Sequence, residues 1–293
     1  MAISLSHINA KTRFFANQYS RPQLPSVAAM AQNQSYWISI EDDIKVYLKK
    51  AIPIKSPETV FEPMHHITFA APRTTAPALC VAACELVGGD WSQAMAAASA
   101  IHLMHAAAYA HEHLPLTDRP TYRSTIQHKY GPNIELLTGD GIIPFGLELL
   151  ARSMDLTQSN QDKILRVIIE ITRATGSQGI VDGQYQELGL QQLGTDLEII
   201  EYVSRKKEGE LHACGAACGA ILGGGAEEEI EKLRNFGMYA GMIQGMLRIN
   251  KNGSEEKIAK LAALALKELE SFHGKKIELI SSLVEPSLET VVV

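Results

Sequence analysis

From Ser35 onward, apolar side chains return along the chain at intervals of three and four. In "SYWISIEDDIKVYLKKAI" the positions Ile40, Ile44, Tyr47, Leu48 and Ile52 share one face of a helix. Pro53 and Pro57 stop it. "TAPALCVAACELVGGD" predicts a short buried helix ended by Gly88 and Gly89, and an alanine-rich helix runs from Ser92 to about His113 before Pro115 breaks it. The same spacing continues through "GPNIELLTGDGIIPFGLELLARS", "QDKILRVIIEITRATG", "DLEIIEYVSRKKEGELHACGAACGAILGGG", "AEEEIEKLRNFGMYAGMIQGMLRIN" and "SEEKIAKLAALALKELESF". Asp162 and Ser254 mark helix starts, and the glycines from Gly223 to Gly225 mark a stop. No segment alternates with period two for long enough to predict a strand, and no fixed-period repeat is present. The pattern predicts one all-α domain of about ten helices.

Composition agrees with that pattern. The 293 residues are 46% hydrophobic and only 6% aromatic, which favours helices over a β-sandwich and gives enough apolar mass for one large core. A net charge of −6, with 27 scattered basic residues, excludes nucleic acid and anionic membrane surfaces as expected partners. No apolar run reaches the roughly 20 residues that span a bilayer. Residues 1–34 differ from the rest: they carry Lys11, Arg13, Arg21 and several serines, and the first acid in the chain is Glu41. Without a central apolar stretch, this bias matches an organelle transit peptide better than a secretory signal. It is expected to be disordered, which leaves residues 35–293 as the folded domain.

Two cysteine pairs, Cys80 with Cys84 and Cys214 with Cys218, sit four residues apart within helical stretches. That spacing puts both sulfurs of a pair on one face with Cβ atoms about 6 Å apart, wider than the ~3.8 Å of a disulfide. Structural zinc sites use cysteine knuckles in turns, so these residues read as small apolar side chains where helices approach closely, in a core or at a subunit contact. His102 and His105 share a helix face, but packed histidines are commoner than ligating ones. Glu227 to Glu229 and Ser204 to Lys207 read as solvated faces. No phosphate-cradling glycine loop, nucleophile elbow or HExxH motif is present.

Several stretches together carry a family resemblance: "LCVAACELVGGD", "IHLMHAAAYAHEHLPLTD", "YGPNIELLTGDGIIPFG", "EYVSRKKEGELHACGAACGAILGGG" and "NFGMYAGMIQGMLR". From about Ser35 the chain resembles the trans-type isoprenyl diphosphate synthases, and within them the small-subunit branch of plant heteromeric geranyl diphosphate synthases. The two CxxxC motifs are specific to that branch. The resemblance implies an orthogonal bundle of helices of the isoprenoid synthase type. In active members, two aspartate-rich clusters hold Mg²⁺ against an allylic diphosphate.

Measured against those patterns, the charge-bearing positions are changed. In the first cluster, His111, Leu114 and Pro115 match and Asp118 keeps the last carboxylate, but Glu112 replaces the first aspartate and His113 the second. An imidazole suits Mg²⁺ poorly. In the second cluster the aspartates fall on Gln244, Gly245 and Arg248. The basic pocket for isopentenyl diphosphate corresponds to "APRTTA", where Arg73 keeps one cation while Thr74 and Ala76 lose two. Lys207 occupies the place of a substrate-binding lysine, and "GIVDGQ" keeps the family's Gly and Gln frame. Each lost ligand removes transition-state stabilisation, and every 1.4 kcal/mol is about tenfold in rate.

The resemblance therefore implies a plastid-targeted, non-catalytic regulatory subunit that binds no cofactor of its own. Its expected partner is the catalytic large subunit of a geranyl or geranylgeranyl diphosphate synthase, which would hold the Mg²⁺. Assembly would be a heterodimer or heterotetramer, with Cys80, Cys84, Cys214 and Cys218 at or just behind the contact and Arg73 and Lys207 as vestiges of substrate binding. Two alternatives stand beside it. One is a weakly active homodimeric prenyltransferase using Glu112 and Asp118. The other is an adaptor that recruits the synthase without changing its products.

Overall fold

A computed structural model describes residues 27–114, 128–155, 160–193, 196–249, 254–274 and 276–284. Asp118 and residues 1–26 lie outside the described residues. The described residues are helical throughout, with no strand among them: α1 (Val27–Ala51), α2 (Glu58–Ala70), α3 (Ala76–Leu86), α4 (Trp91–Glu112), α5 (Pro132–Arg152), α6 (Gln161–Thr175), α7 (Ile180–Leu193), α8 (Leu197–Ser204), α9 (Glu210–Gly223), α10 (Glu227–Ile249), α11 (Glu255–Leu269) and α12 (Lys276–Ser281). None of them is long and apolar enough to cross a membrane. The first helix starts ahead of the Ser35 boundary. Three helices, α2, α7 and α12, fall outside the stretches that periodicity predicts. The first carries Pro63 in its interior, and the last is a single short turn and a half.

The helix boundaries follow the local chemistry. Asp90 accepts the Ser92 amide at 2.9 Å while Gln93 accepts the Asp90 amide at 3.0 Å, a reciprocal cap that starts α4. At the ends of α3 and α9 the chain turns through Gly88 (φ 92°) and Gly224 (φ 82°), a left-handed conformation that costs glycine least.

The centre of the molecule is the pair α3 and α9, both buried over nearly their whole length. Ridges of ordinary side chains would hold two helix axes about 8–10 Å apart. Here alanine, glycine and cysteine line the seam, and the backbones touch. A Cβ on Gly215 would meet the Ala76 carbonyl oxygen at 2.4 Å, and one on Gly219 the Cys80 oxygen at 1.9 Å. All four cysteines are free and buried in or beside this seam. Cys214 and Cys218 have sulfurs 3.7 Å apart, and the Cys84 thiol donates to the Asp90 carbonyl at 3.3 Å. Burial pushes the Cys80 and Cys218 thiols well above their ordinary range and Cys84 up to about 11, so they behave as apolar packing groups.

Around this pair, α4 and α10 form the next layer, and α1, α5, α6 and α11 the outside. Cross-links pin the layers. Arg234 on α10 grips Glu170 on α6 with two bonds of 2.6 and 2.9 Å. Tyr36 and Lys276 both donate to Glu85, at 2.6 and 2.7 Å, and tie α1 and α12 to the end of α3.

Candidate functional site

The residues singled out by sequence gather where the C-terminal end of α4, the α8–α9 junction and the last turns of α10 meet. The junction is a π-helical turn, Arg205–Gly209, inserted between α8 and α9. Such wide turns are frequent at functional sites. Here the turn delivers two consecutive charged side chains, Lys207 and Glu208, into the interior. This corrects the solvated-face reading of Ser204 to Lys207: Ser204 and Lys207 are buried, and Lys206 donates to the Gln178 carbonyl at 2.7 Å. A charge run looks exposed by composition, and only the π turn's change of register turns it inward.

On one side of the turn, the Lys207 ammonium donates to Glu112 Oε1 at 2.8 Å and to Glu187 Oε2 at 2.6 Å. Glu112 comes from the last turn of α4 and Glu187 from α7, so three separate segments converge on one cation. Room for the lysine stem is made by Gly183, where a Cβ would lie 2.7 Å from Lys207 Cγ. His113 Nδ1 donates to the Tyr109 carbonyl at 2.8 Å, with its ring 4.0 Å from the Tyr109 ring. His111 lies against α5, 3.3 Å from both the Leu136 carbonyl oxygen and Asp140 Oδ1.

On the other side lies a polar chain. Gln244 Nε2 donates to the Thr75 hydroxyl at 2.9 Å, and the hydroxyl lies 3.0 Å from His212 Nε2. His212 Nδ1 donates to the Glu208 carbonyl at 2.7 Å. Complete burial pushes the His212 pKa down, so the ring is neutral; with Nδ1 carrying the proton, Nε2 is the acceptor for Thr75. Arg248 closes the row with an ion pair of 2.6 Å to Glu208 Oε1. Burial alone would raise the Glu208 carboxyl, but the Arg248 guanidinium and the nearby Lys207 ammonium outweigh it and hold the group ionised.

Gly245 has no side chain for a physical reason. Gly237, Gly241 and Gly245 form a stripe four residues apart on α10, and it lies directly on residues 204–213. Hypothetical Cβ atoms at the three positions would meet the His212 oxygen at 2.4 Å, the Glu208 oxygen at 2.3 Å and Ser204 Cβ at 2.8 Å. A carboxylate at position 245 requires α10 to lift from that surface.

Among the described residues, these positions do not fit a divalent cation. A hard ion such as Mg²⁺ needs several anionic or carbonyl oxygens around a common point. The described residues instead offer an ion-paired Glu112, an imidazole engaged with Tyr109, a hydrogen-bonded amide at Gln244, a bare glycine and the Arg248 guanidinium. Among them no group of three His, Cys, Asp or Glu side chains is placed to hold a metal. His102 and His105 donate to the Thr68 and Pro72 carbonyls at 2.8 and 3.1 Å. Arg73 is ion-paired with Glu41 on α1.

The site thus brings Glu112 and Lys207 into contact, sets Arg248 against Glu208 of the same π turn and Gly245 against Ser204 just before it, and joins Gln244 to Thr75 at the start of α3. The cysteine pairs meet one another in the α3–α9 seam. Thr75, Glu187, Glu208 and His212 are the members that sequence reasoning missed. Only Glu208 left a signal, as the neighbour of Lys207 in a segment with otherwise helical spacing.

Residues 57–244 match the family model described as polyprenyl synthetase. A solved structure of the geranyl diphosphate synthase small subunit from Antirrhinum majus is 70% identical, with a TM-score of 0.83, over 86% of this chain and 98% of that one. A chain of the mint heterotetrameric geranyl pyrophosphate synthase is 61% identical, with a TM-score of 0.78, over 86% of this chain and 99% of that one. The chloroplastic heterodimeric geranylgeranyl pyrophosphate synthase small subunit 2 of Cannabis sativa is 52% identical over 86% of this chain and 91% of its own length.

Proposed function

Because this chain belongs to the polyprenyl synthetase family, we propose that it is a non-catalytic subunit of a heteromeric plastid prenyl diphosphate synthase, one that binds a catalytic large subunit and promotes geranyl diphosphate formation from isopentenyl and dimethylallyl diphosphates. One observation carries this reading. The positions equivalent to the second aspartate cluster are filled by the chain's own structure: Gly245 is seated on Ser204, and Arg248 is paired with Glu208. A guanidinium in that position would repel a metal ion. The Mg²⁺ and the ionising allylic diphosphate then belong to the partner.

The surface supports a partner as well. Helix α5 buries only a narrow stripe and leaves Ile134, Leu136, Leu137 and Ile143 exposed, with Leu137 at 70%. Leu165 and Ile169 on α6 are exposed too. Exposed apolar faces of this kind mark interaction sites. The large subunit is the proposed occupant, since the relatives above are named as subunits of heterodimeric or heterotetrameric synthases. Cys80, Cys84, Cys214 and Cys218 lie behind the surface; they would act by fixing the spacing of α3 and α9, not by touching the partner.

The test is co-expression with an aspartate-rich large subunit. The expected result is a stable complex whose ratio of ten-carbon to twenty-carbon product exceeds that of the large subunit alone, with no prenyl product from this chain by itself. Magnesium-dependent product from the purified chain alone would establish the weakly active homodimer. A complex with unchanged rate and product lengths would establish the adaptor.

A further inference from the structure

The cluster of Lys207, Glu112 and Glu187 is not explained by a mere loss of catalytic acids. Its three charged ends come from α4, α7 and the π turn, and they converge at 2.6 and 2.8 Å with the lysine side chain only 6% exposed and each carboxylate 15%. Both carboxylates stand within hydrogen-bond distance of the one ammonium. We propose that this cluster is a built-in counter-ion lock that closes the vestigial pocket to diphosphate, with Lys207 held by the chain's own carboxylates in place of a ligand's phosphate.

The physical case rests on competition. A diphosphate approaching Lys207 must displace two charge-assisted bonds that are already formed and largely dry. It must also approach two carboxylates at close range, where repulsion is strong in a partly buried site. The backbone that carries the internal anions is already placed by the packing of α4 and α7, so holding them costs only the rotamer freedom of their side chains. The neighbouring cation is similarly committed, Arg248 to Glu208 at 2.6 Å. The lock has a second consequence, since it ties α7 to the body. Gln184 adds a bond of 3.2 Å to the Ala108 carbonyl, and Tyr202 adds one of 2.7 Å to Asp182.

This inference rests on the non-catalytic reading but is tested separately from it, on the isolated full-length chain and with inorganic diphosphate as the probe. By calorimetry at low ionic strength, the wild type is expected to give no saturable binding. Glu112→Gln combined with Glu187→Gln keeps the shapes and removes both charges, and is expected to bind diphosphate at least tenfold more tightly than the wild type. Adding Lys207→Met to that pair is expected to abolish the gain. Wild-type binding as tight as that of the double variant overturns the lock, and so does a folded double variant, checked by its melting curve, that gains nothing. If the double variant does not fold, amine acylation of the wild-type chain, mapped by mass spectrometry, decides. Lys207 protected relative to the exposed Lys45, with its protection reduced in the single variant Glu187→Gln, supports the lock. Lys207 labelled as fast as Lys45 overturns it. The complex's product ratio can stand or fall independently of any of these outcomes.

Discussion

Replacing Gly219 with alanine sets two opposed effects against each other, and the sign of the result tests the packing of the core. Alanine inside a helix is favoured over glycine by about 1 kcal/mol, so on propensity alone the change stabilises. The structure opposes it. The new Cβ would stand 1.9 Å from the Cys80 carbonyl oxygen, 2.8 Å from its carbonyl carbon and 3.0 Å from the Cys84 nitrogen. All three are backbone atoms of α3, which no rotamer change can move. Relief requires α3 and α9 to separate by about 1 Å, opening a seam that close packing elsewhere leaves no slack to absorb. Overpacking of this kind costs about 1–3 kcal/mol, and more where backbone must shift. Because the contacts are with backbone, the cost sits at or above the top of that range, about 3 kcal/mol or more; less the propensity gain of about 1 kcal/mol, a net loss of about 2 kcal/mol or more follows, which for a domain of this size lowers Tm by roughly 4–8 °C. The control is Gly141→Ala on α5, where a Cβ meets nothing within 4 Å and the propensity gain of up to about 1 kcal/mol should appear as stabilisation. Urea denaturation of the isolated chain measures both. A Gly219→Ala variant as stable as the wild type would refute the backbone-contact account of the seam.

Three further outcomes are expected. Arg234→Met strands the Glu170 carboxylate between α6 and α10 and should cost about 2–4 kcal/mol in denaturant melts, with Glu170→Gln in the same background recovering part of it. Burial pushes His105 down to about 4, so its neutral form supports the fold fully above the ordinary histidine value near 6.5 and that support drains away as pH falls from there to about 4. It amounts to roughly 3 kcal/mol at most, with His102 and His212 depressed in the same direction, and His105→Gln should flatten the pH–stability curve. Finally, Leu137→Ser should leave the Tm of the isolated chain within about 1 °C while weakening co-purification with the large subunit at least tenfold; unchanged association would move the docking surface off α5.

The helical class and most long helices were legible because burial on one face writes a 3.6-residue period into the sequence. Where that period fails, the reason is local. In α7 the side facing the body carries Gly183, Gln184 and Glu187, while Val181, Tyr185 and Leu188 point outward, the reverse of an ordinary surface helix. No apolar-face template finds such a helix. The candidate site was legible as a set of altered charges, and the structure places Glu112, Lys207 and Arg248 around one turn, with Gly245 beside it on Ser204 and Gln244 on Thr75. What could not be read was the compensation. Nothing in the spacing of "SRKKEGE" announces a π turn, and therefore nothing announces that Lys207 meets Glu187 or that Glu208 meets Arg248. The cysteine pairs show the same limit from the other side: their helix faces were evident, but their meeting in one seam depends on which helices neighbour each other.

On the proposed reading of these positions as former metal-binding clusters, their pairings distinguish a reshaped site from a damaged one. Deleting acids from a pocket that holds cations would leave basic side chains and polar groups buried without partners, at a cost of about 1–3 kcal/mol for each neutral group and more for each charge. Here the side chains at Glu112, Gln244 and Arg248 each close a local account of charge or hydrogen bonding, while the Ser204 hydroxyl against Gly245 stays buried without a partner among the described residues. The amide at Gln244 does what a carboxylate could not: it donates to Thr75, which frees the hydroxyl proton for the neutral His212. The guanidinium at Arg248 answers the buried Glu208, and the glycine at 245 lets α10 sit close enough for that bond to form. On the opposite side of the turn Glu112 and Glu187 answer Lys207. The substitutions are therefore interdependent. Reverting Arg248 alone to aspartate would set a second carboxylate against Glu208 and destabilise the α9–α10 packing without recreating a cation cage, because position 245 still has no room for its acid. A single restored aspartate in this chain should accordingly cost stability and return no magnesium-dependent turnover.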